Sequence, residues 1–151
     1  MRIPLNEIFD PQAIKIDLEG TTKEAVFSEL AGTISSVHPE CDQTILLDAL
    51  WERENKLSTG IAPGIAIPHA IYRGIDTVVG AIGVSKSGIE YDALDNKPVH
   101  VVFMLAMGER TQENHVRVLN QIFSLVQSEA LMQMRKAKTT QDVHAILSQF
   151  H

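Results

Sequence analysis

Residues 99–107, VHVVFMLAM, are apolar throughout except for His100. Such a run has no polar face to turn toward water, so it belongs in the middle of a sheet that is covered on both sides. It is also far shorter than the roughly 20 apolar residues needed to cross a bilayer. His100, at its start, is expected as a strand-end residue rather than a ligand. The remainder of the chain has to supply the neighbouring strands and the two covering layers.

Those pieces are visible in order. Residues 3–9 place Ile3, Leu5, Ile8 and Phe9 among polar residues, as in a short helical turn. Residues 13–18, AIKIDL, alternate apolar and polar side chains, the pattern of a half-buried strand. After Gly20, Thr21 and Glu24 have capping-box spacing, and Val26, Leu30, Ile34 and Val37 follow at helical intervals until His38-Pro39. Asp42 is suited to cap the next helix, which is expected to run to about Lys56. Residues 77–86 predict a second strand, Ser87-Gly88 a turn, residues 89–93 a short extended piece, and residues 95–98 a turn cluster. After the central strand, residues 108–111 lead into a long helix with His115, Leu119, Ile122 and Val126 on one face. A short helix is expected over 128–136. Thr139 then caps a last helix striped by Val143, Ile146, Leu147 and Phe150. His38, His144 and His151 are expected to be solvated. The alternation of strands and helices predicts an α/β sandwich: a mixed sheet of about five strands with helices on both faces, in one domain over 1–151.

Composition excludes several classes. A net charge of −6 argues against a nucleic-acid-binding surface, which needs a basic stripe. The single cysteine, Cys41, precludes an internal disulfide and suits a reducing compartment. Asn6, Glu7 and Asp10 interrupt any signal-peptide pattern at the start. The expectation is a soluble, cytoplasmic protein with no membrane insertion.

One loop stands out chemically. Residues 56–72, KLSTGIAPGIAIPHAIY, carry Ser58, Thr59, Gly60, Gly64 and Pro63, and deliver His69 directly after Pro68. Glycine lets backbone adopt positive φ or approach a neighbour closely, and proline stiffens the chain ahead of it. His69 is therefore aimed from a loop or strand end rather than buried by helix packing. The loop alone is equally consistent with an incidental histidine. Arg53, just upstream, extends the stripe of Leu46, Ala49 and Leu50, either snorkelling to water at its edge or meeting an anion. His115 heads an apolar stripe at a helix N-terminus, a place for a core histidine or for a group facing a bound anion.

Other chemistries lack their patterns. The six histidines include no H-x-H or H-x-x-x-H pair, so no metal is expected. G-x-S-x-G and a phosphate-binding G-x-x-x-x-G-K-[ST] loop are also missing. No cofactor is called for, and any phosphate has to arrive on another molecule. His69, Arg53 and His115, if they converge, make a nucleophilic imidazole, a guanidinium fork and a second imidazole, with backbone N–H groups near Gly64 and at the Thr111 helix start as further donors.

The segment LSTGIAPGIAIPHA, with TTKEAVFSELA, WERE, DNKPVHVVFMLAM and HVRVLNQIF following in order over nearly the whole chain, resembles enzyme IIA of the bacterial phosphoenolpyruvate-dependent phosphotransferase system. The resemblance is to the fructose/mannitol class, which includes the nitrogen-regulatory enzymes IIA. It implies that His69 accepts a phosphoryl group, that Arg53 lies beside it and that His115 completes the site, with Ser58, Thr59, Gly60, Gly64 and Pro68 framing the loop. It implies an HPr-like phosphocarrier or its nitrogen-branch counterpart as donor, and a IIB domain or regulatory target proteins as partners. Ala62-Pro63 and His100 depart from the usual pattern, where a Gly with a polar residue and an Asp are common. Taken as complete, the chain carries no IIB, IIC or HPr-like region, so the leading expectation is a phosphorylatable nitrogen-regulatory type. The alternatives are a sugar-specific IIA and a IIA-fold binding module that is not phosphorylated in the cell.

Overall fold

The computed structural model describes residues 4–60, 62–110 and 112–149; Ile3, Thr111, Phe150 and His151, which enter the expectations above, lie outside them. The 99–107 run forms β5 (Val99–Gly108), and its side chains alternate between two cores as the pleat requires. Val102, Met104 and Ala106 join one apolar cluster; Val101, Phe103, Leu105 and Met107 join the other. β5 pairs antiparallel with β4 (Val78–Ile89) and parallel with two short strands, β2 (Ile65–Ala66) and β3 (His69–Tyr72), in tandem along its other edge. β1 (Ile14–Lys15) adds parallel to β4, completing a mixed five-stranded sheet.

Helices α2 (Lys23–Val37) and α3 (Gln43–Glu54) cover one face through Val26, Phe27, Leu30, Ile34, Leu46 and Leu50. The opposite face is covered by α1 (Leu5–Ile8), α4 (Gln112–Val126), α5 (Ala130–Arg135) and α6 (Thr140–Ser148). The expected α/β sandwich is therefore the observed one. Asp42 caps α3 by accepting from the Ile45 N–H, and Thr139 with Asp142 forms a complete capping box on α6.

Four local expectations are corrected. The cap of α2 is Thr22, whose hydroxyl accepts from the Ala25 N–H. Thr21 is committed elsewhere, its carbonyl accepting from the Glu90 N–H at 2.8 Å. The first strand is only Ile14–Lys15, because Ala13 belongs to a 3-10 turn, Pro11–Ala13. Ser87-Gly88 does not turn the chain: β4 runs through it, with Gly88 at φ +99° and a register shift between Val84 and Ile89, the signature of a bulge. Finally, His38 and His144 are half-buried rather than solvated, and His144 Nε2 donates to the Asn6 carbonyl at 3.2 Å, tying α6 to α1.

Candidate functional site

The loop after α3 is gripped at two points by Arg53 and Glu54, consecutive residues on the last turn of the helix. Arg53 Nη1 donates to the Leu57 carbonyl at 2.7 Å. The Glu54 carboxylate accepts from the Thr59 N–H at 3.0 Å and the Thr59 hydroxyl at 2.6 Å. Ala62-Pro63-Gly64-Ile65 then forms a tight turn: the Ile65 N–H donates to the Ala62 carbonyl at 3.2 Å and Gly64 has φ +78°. Proline followed by a positive-φ glycine is the type II pattern, so Ala62-Pro63 sets a defined turn rather than merely a stiffer loop. The Gly64 carbonyl accepts from the N–H groups of His100 and Val101, docking the turn on the start of β5.

The chain then runs as β2, pauses at Ile67-Pro68, and resumes as β3 with His69 as its first residue, in register with Leu105. β3 is an edge of the sheet, with α3 packed beside it. The half-buried His69 places Nδ1 2.7 Å from the Ile67 carbonyl oxygen. A carbonyl can only accept, so in the neutral ring Nδ1 carries the proton and Nε2 carries the lone pair. Burial is the largest influence on this ring and lowers its pKa; the Ile67 hydrogen bond pulls upward, Arg53 downward, and the net position is below the ordinary 6.5.

His115, near the start of α4, is half-buried. Its Nε2 donates to the Gly108 carbonyl at 2.9 Å, fixing the ring against the end of β5. His69, Arg53 and His115 line one cleft of about 450 Å³ together with Glu52, Lys56 and Met107, so the structure brings the predicted trio together. Among the described residues no carboxylate pairs with Arg53, and only the Leu57 carbonyl takes one of its N–H groups. The rest of the fork is available to an anion in the cleft.

Ser58, Thr59, Gly60, Gly64 and Pro68 do not line this cleft. They shape the loop behind it. The Thr59 carbonyl accepts from the Ile67 N–H at 3.1 Å, and Ser58 Oγ accepts from the Gly60 N–H at 3.1 Å. The backbone donors expected near Gly64 are not in the cleft either, since the Ile65 N–H is spent inside the turn. A larger groove of about 790 Å³, lined by Lys23, Glu54, Ser58 and Tyr91 among others, holds none of the trio. Size is outweighed here by the convergence of an imidazole, a guanidinium and a second imidazole in the smaller cleft. His100 stands at the start of β5, as expected, with Nδ1 donating to the Ser85 carbonyl at 2.9 Å. Among the described residues no group of His, Cys, Asp or Glu side chains is arranged to hold a metal ion, and no helix is long and apolar enough to cross a membrane.

Glu54 is the polar residue that pattern reading missed. It is 5% exposed, bonded to Thr59 and ion-paired with Lys23 Nζ at 2.9 Å. Burial works to raise its carboxyl, but the Thr59 hydroxyl, Lys23 and the Thr59 N–H outweigh it and hold the group below its ordinary 4.5. The signal was present: Leu46, Leu50 and Glu54 recur at i, i+4 and i+8 on the buried face of α3.

A five-stranded mixed sheet with helices on both faces and a histidine-arginine-histidine cleft at one edge strand defines a phosphotransferase-system enzyme IIA type of protein. Residues 7–150 match the family described as phosphoenolpyruvate-dependent sugar phosphotransferase system, EIIA 2, and the chain belongs to it. It is 32% identical over 146 residues to the PTS system fructose-specific EIIABC component of Bacillus subtilis, covering 96% of this chain and 23% of that larger protein. It is 30% identical over 146 residues to the nitrogen regulatory protein of Pseudomonas aeruginosa, covering 96% of this chain and 95% of that one. Among solved structures, the nitrogen regulatory protein IIA-Ntr of Neisseria meningitidis superposes with a TM-score of 0.86 at 26% identity, covering 95% of this chain and 98% of its own.

Proposed function

We propose that this chain, as one IIA domain over residues 1–151, is a cytoplasmic phosphoryl carrier that accepts a phosphoryl group on Nε2 of His69 and acts in phosphorylation-dependent regulation. The donor is the phosphocarrier HPr or its nitrogen-branch counterpart. The observation that carries the reading is the tautomer of His69: with Nδ1 donating to Ile67, the lone pair on Nε2 is the nucleophile left for the cleft. As the Nε2–P bond forms, the bond from phosphorus to the donor breaks and its electron pair leaves with the donor. Charge spreads over the three phosphoryl oxygens in between. Arg53 is suited to take two of those oxygens, and His115, its Nε2–H held by the Gly108 carbonyl, adds a second contact at the start of α4 as the imidazolium, through Nδ1–H. Onward transfer runs the same steps in reverse toward an acceptor.

The regulatory assignment is supported by 30% identity to the nitrogen regulatory protein of Pseudomonas aeruginosa and by the TM-score of 0.86 to IIA-Ntr. A second reading, a sugar-specific IIA that passes its phosphoryl group to a IIB domain, is favoured by the 32% identity to the fructose-specific EIIABC component. Both readings require phosphoryl acceptance, which is tested by incubating the protein with labelled phosphoenolpyruvate, enzyme I and each phosphocarrier. Label acquired through a phosphocarrier supports the reading, and further chase onto a IIB domain selects the second form. No label with either carrier leaves a IIA-fold binding module that works without phosphorylation.

A further inference from the structure

A hydrogen-bonded chain runs from Lys23, at the start of α2, through Glu54, Thr59 and Ile67 to the imidazole of His69. Glu54 Oε2 accepts from Lys23 Nζ at 2.9 Å and from the Thr59 N–H at 3.0 Å, while Oε1 accepts from the Thr59 hydroxyl at 2.6 Å. Because the Thr59 proton is spent on the carboxylate, the 2.6 Å contact between Thr59 Oγ1 and the Tyr91 hydroxyl has Tyr91 as donor. Thr59, 2% exposed, then uses its own carbonyl to accept from the Ile67 N–H at 3.1 Å. The same Ile67 peptide residue turns its carbonyl to His69 Nδ1 at 2.7 Å. Lys23 lies over the Tyr91 ring at 4.6 Å and closes the far end.

Packing alone does not call for this arrangement. A buried carboxylate is costly to desolvate, and a well-packed apolar side chain fills such space at no such cost. Polar networks inside a core instead specify one geometry, because each member has few ways to be satisfied. The geometry specified here is the orientation of the Ile67 backbone, and the Ile67 carbonyl decides which nitrogen of His69 carries the proton.

We infer that Glu54 is a positioning residue for phosphoryl transfer: through Thr59 and the Ile67 backbone it holds the His69 ring with Nδ1 protonated and Nε2 turned to the incoming phosphoryl group. This role rests on His69 being the acceptor, as proposed above. Glu54 touches neither the ring nor the cleft's occupant; it acts through two peptide units. The paired test uses the full chain carrying Glu54→Gln, Thr59→Val and Thr59→Ser. Gln keeps the size of Glu but cannot accept at both ends; Val keeps the size of Thr without its hydroxyl; Ser keeps the hydroxyl and N–H.

Nitrogen-15 NMR of the imidazole reports the His69 tautomer with no phosphoryl donor present, and single-turnover transfer is measured on the same samples. Glu54→Gln and Thr59→Val should raise the share of the Nε2–H tautomer and slow transfer at saturating donor by about ten-fold, the low end of the roughly ten- to hundred-fold range known for outer-shell partners that orient metal-ligating histidines. Half-saturation by donor should stay within about two-fold, since contacts to the donor are untouched. Thr59→Ser should restore both tautomer and rate. An unchanged tautomer in Glu54→Gln and Thr59→Val, or rate losses that merely follow losses of thermal stability across the variants, would overturn the role. Should Glu54→Gln not fold, the Val and Ser replacements at Thr59 decide the matter alone. Wild type that takes no label would instead remove the acceptor role of His69, a failure the donor-free tautomer measurement keeps separate.

Discussion

The Nδ1 atom of His69 donates to the carbonyl of Ile67, two residues earlier in the same chain, at 2.7 Å. Pro68 between them stiffens the link, so one turn of backbone both aims the imidazole and selects its tautomer. The ring is partly withdrawn from water, and that burial is the main reason its pKa lies below the ordinary 6.5. The pH dependence follows in sign. The folded protein binds this proton less readily than the unfolded chain, so His69 contributes stability above its unfolded pKa that is lost as pH falls through the lowered folded value. Phosphoryl acceptance should therefore be flat from about pH 8 to about pH 7 and decline only at lower pH. Single-turnover rates across that range, beside an NMR titration of the ring, check it; a rate that already halves between those two values contradicts it.

Arg53 has one N–H on the Leu57 carbonyl and the remainder of its fork toward the cleft. Arg53→Lys keeps the charge and loses the bidentate geometry. Loss of a charge-assisted hydrogen bond, about 1.5–3 kcal/mol, corresponds to a roughly ten- to hundred-fold slower transfer. The thermal midpoint should stay close to wild type. Equal transfer rates in the Lys variant would make Arg53 an edge residue that only ties down the loop.

For His115 the packing and functional roles separate by side-chain choice. His115→Gln retains a donor near the Gly108 carbonyl, whereas His115→Ala removes it together with the ring. Both variants should remain folded, and onward transfer from phosphorylated His69 should suffer more in Ala than in Gln, by about ten-fold or more relative to wild type. Losses proportional to destabilisation in both variants would return His115 to a purely packing role.

Much of this was legible in the chain. The 99–107 run gave β5, whereas Arg53, His69 and His115, which line one cleft, were only permitted by their spacing and were singled out together by the resemblance to the enzyme IIA family. What escaped were features set by distant partners. Thr21 has capping-box spacing, yet its carbonyl is taken by the N–H of Glu90, just past the end of β4, and the cap passes to Thr22. Ser87-Gly88 has turn chemistry, yet pairing with β5 resumes at Ile89 and absorbs Gly88 as a bulge. Glu54 sits on a buried stripe that spacing exposes, but Lys23, Thr59 and Tyr91, which make its burial tolerable, come from three other places in the sequence. Local pattern does not register a pairing until the fold has closed it.

Two loop glycines should fail for different reasons. A Cβ on Gly60 would lie 2.7 Å from the Ala93 Cβ and 3.0 Å from the Tyr91 ring, so Gly60→Ala overpacks and should cost about 1–3 kcal/mol. Gly64 has open space around it but φ +78°, so Gly64→Ala should cost about 1–2 kcal/mol from the left-handed backbone alone. Denaturant unfolding measures both. Adding Ala93→Gly should recover part of the Gly60→Ala loss and none of the Gly64→Ala loss; equal recovery in both contradicts the assignment.

The most direct measurement is the chemical identity of the phosphorylated atom. Wild type and His69→Ala are charged from phosphoenolpyruvate through enzyme I and an HPr-like carrier, and the product is examined by intact mass and by phosphorus-coupled NMR of the imidazole. The expected result is one acid-labile, base-stable phosphoryl group on Nε2 of His69 in wild type and none in His69→Ala. A phosphoryl group on Nδ1 of His69, on His115, or retained in full by His69→Ala would contradict the account.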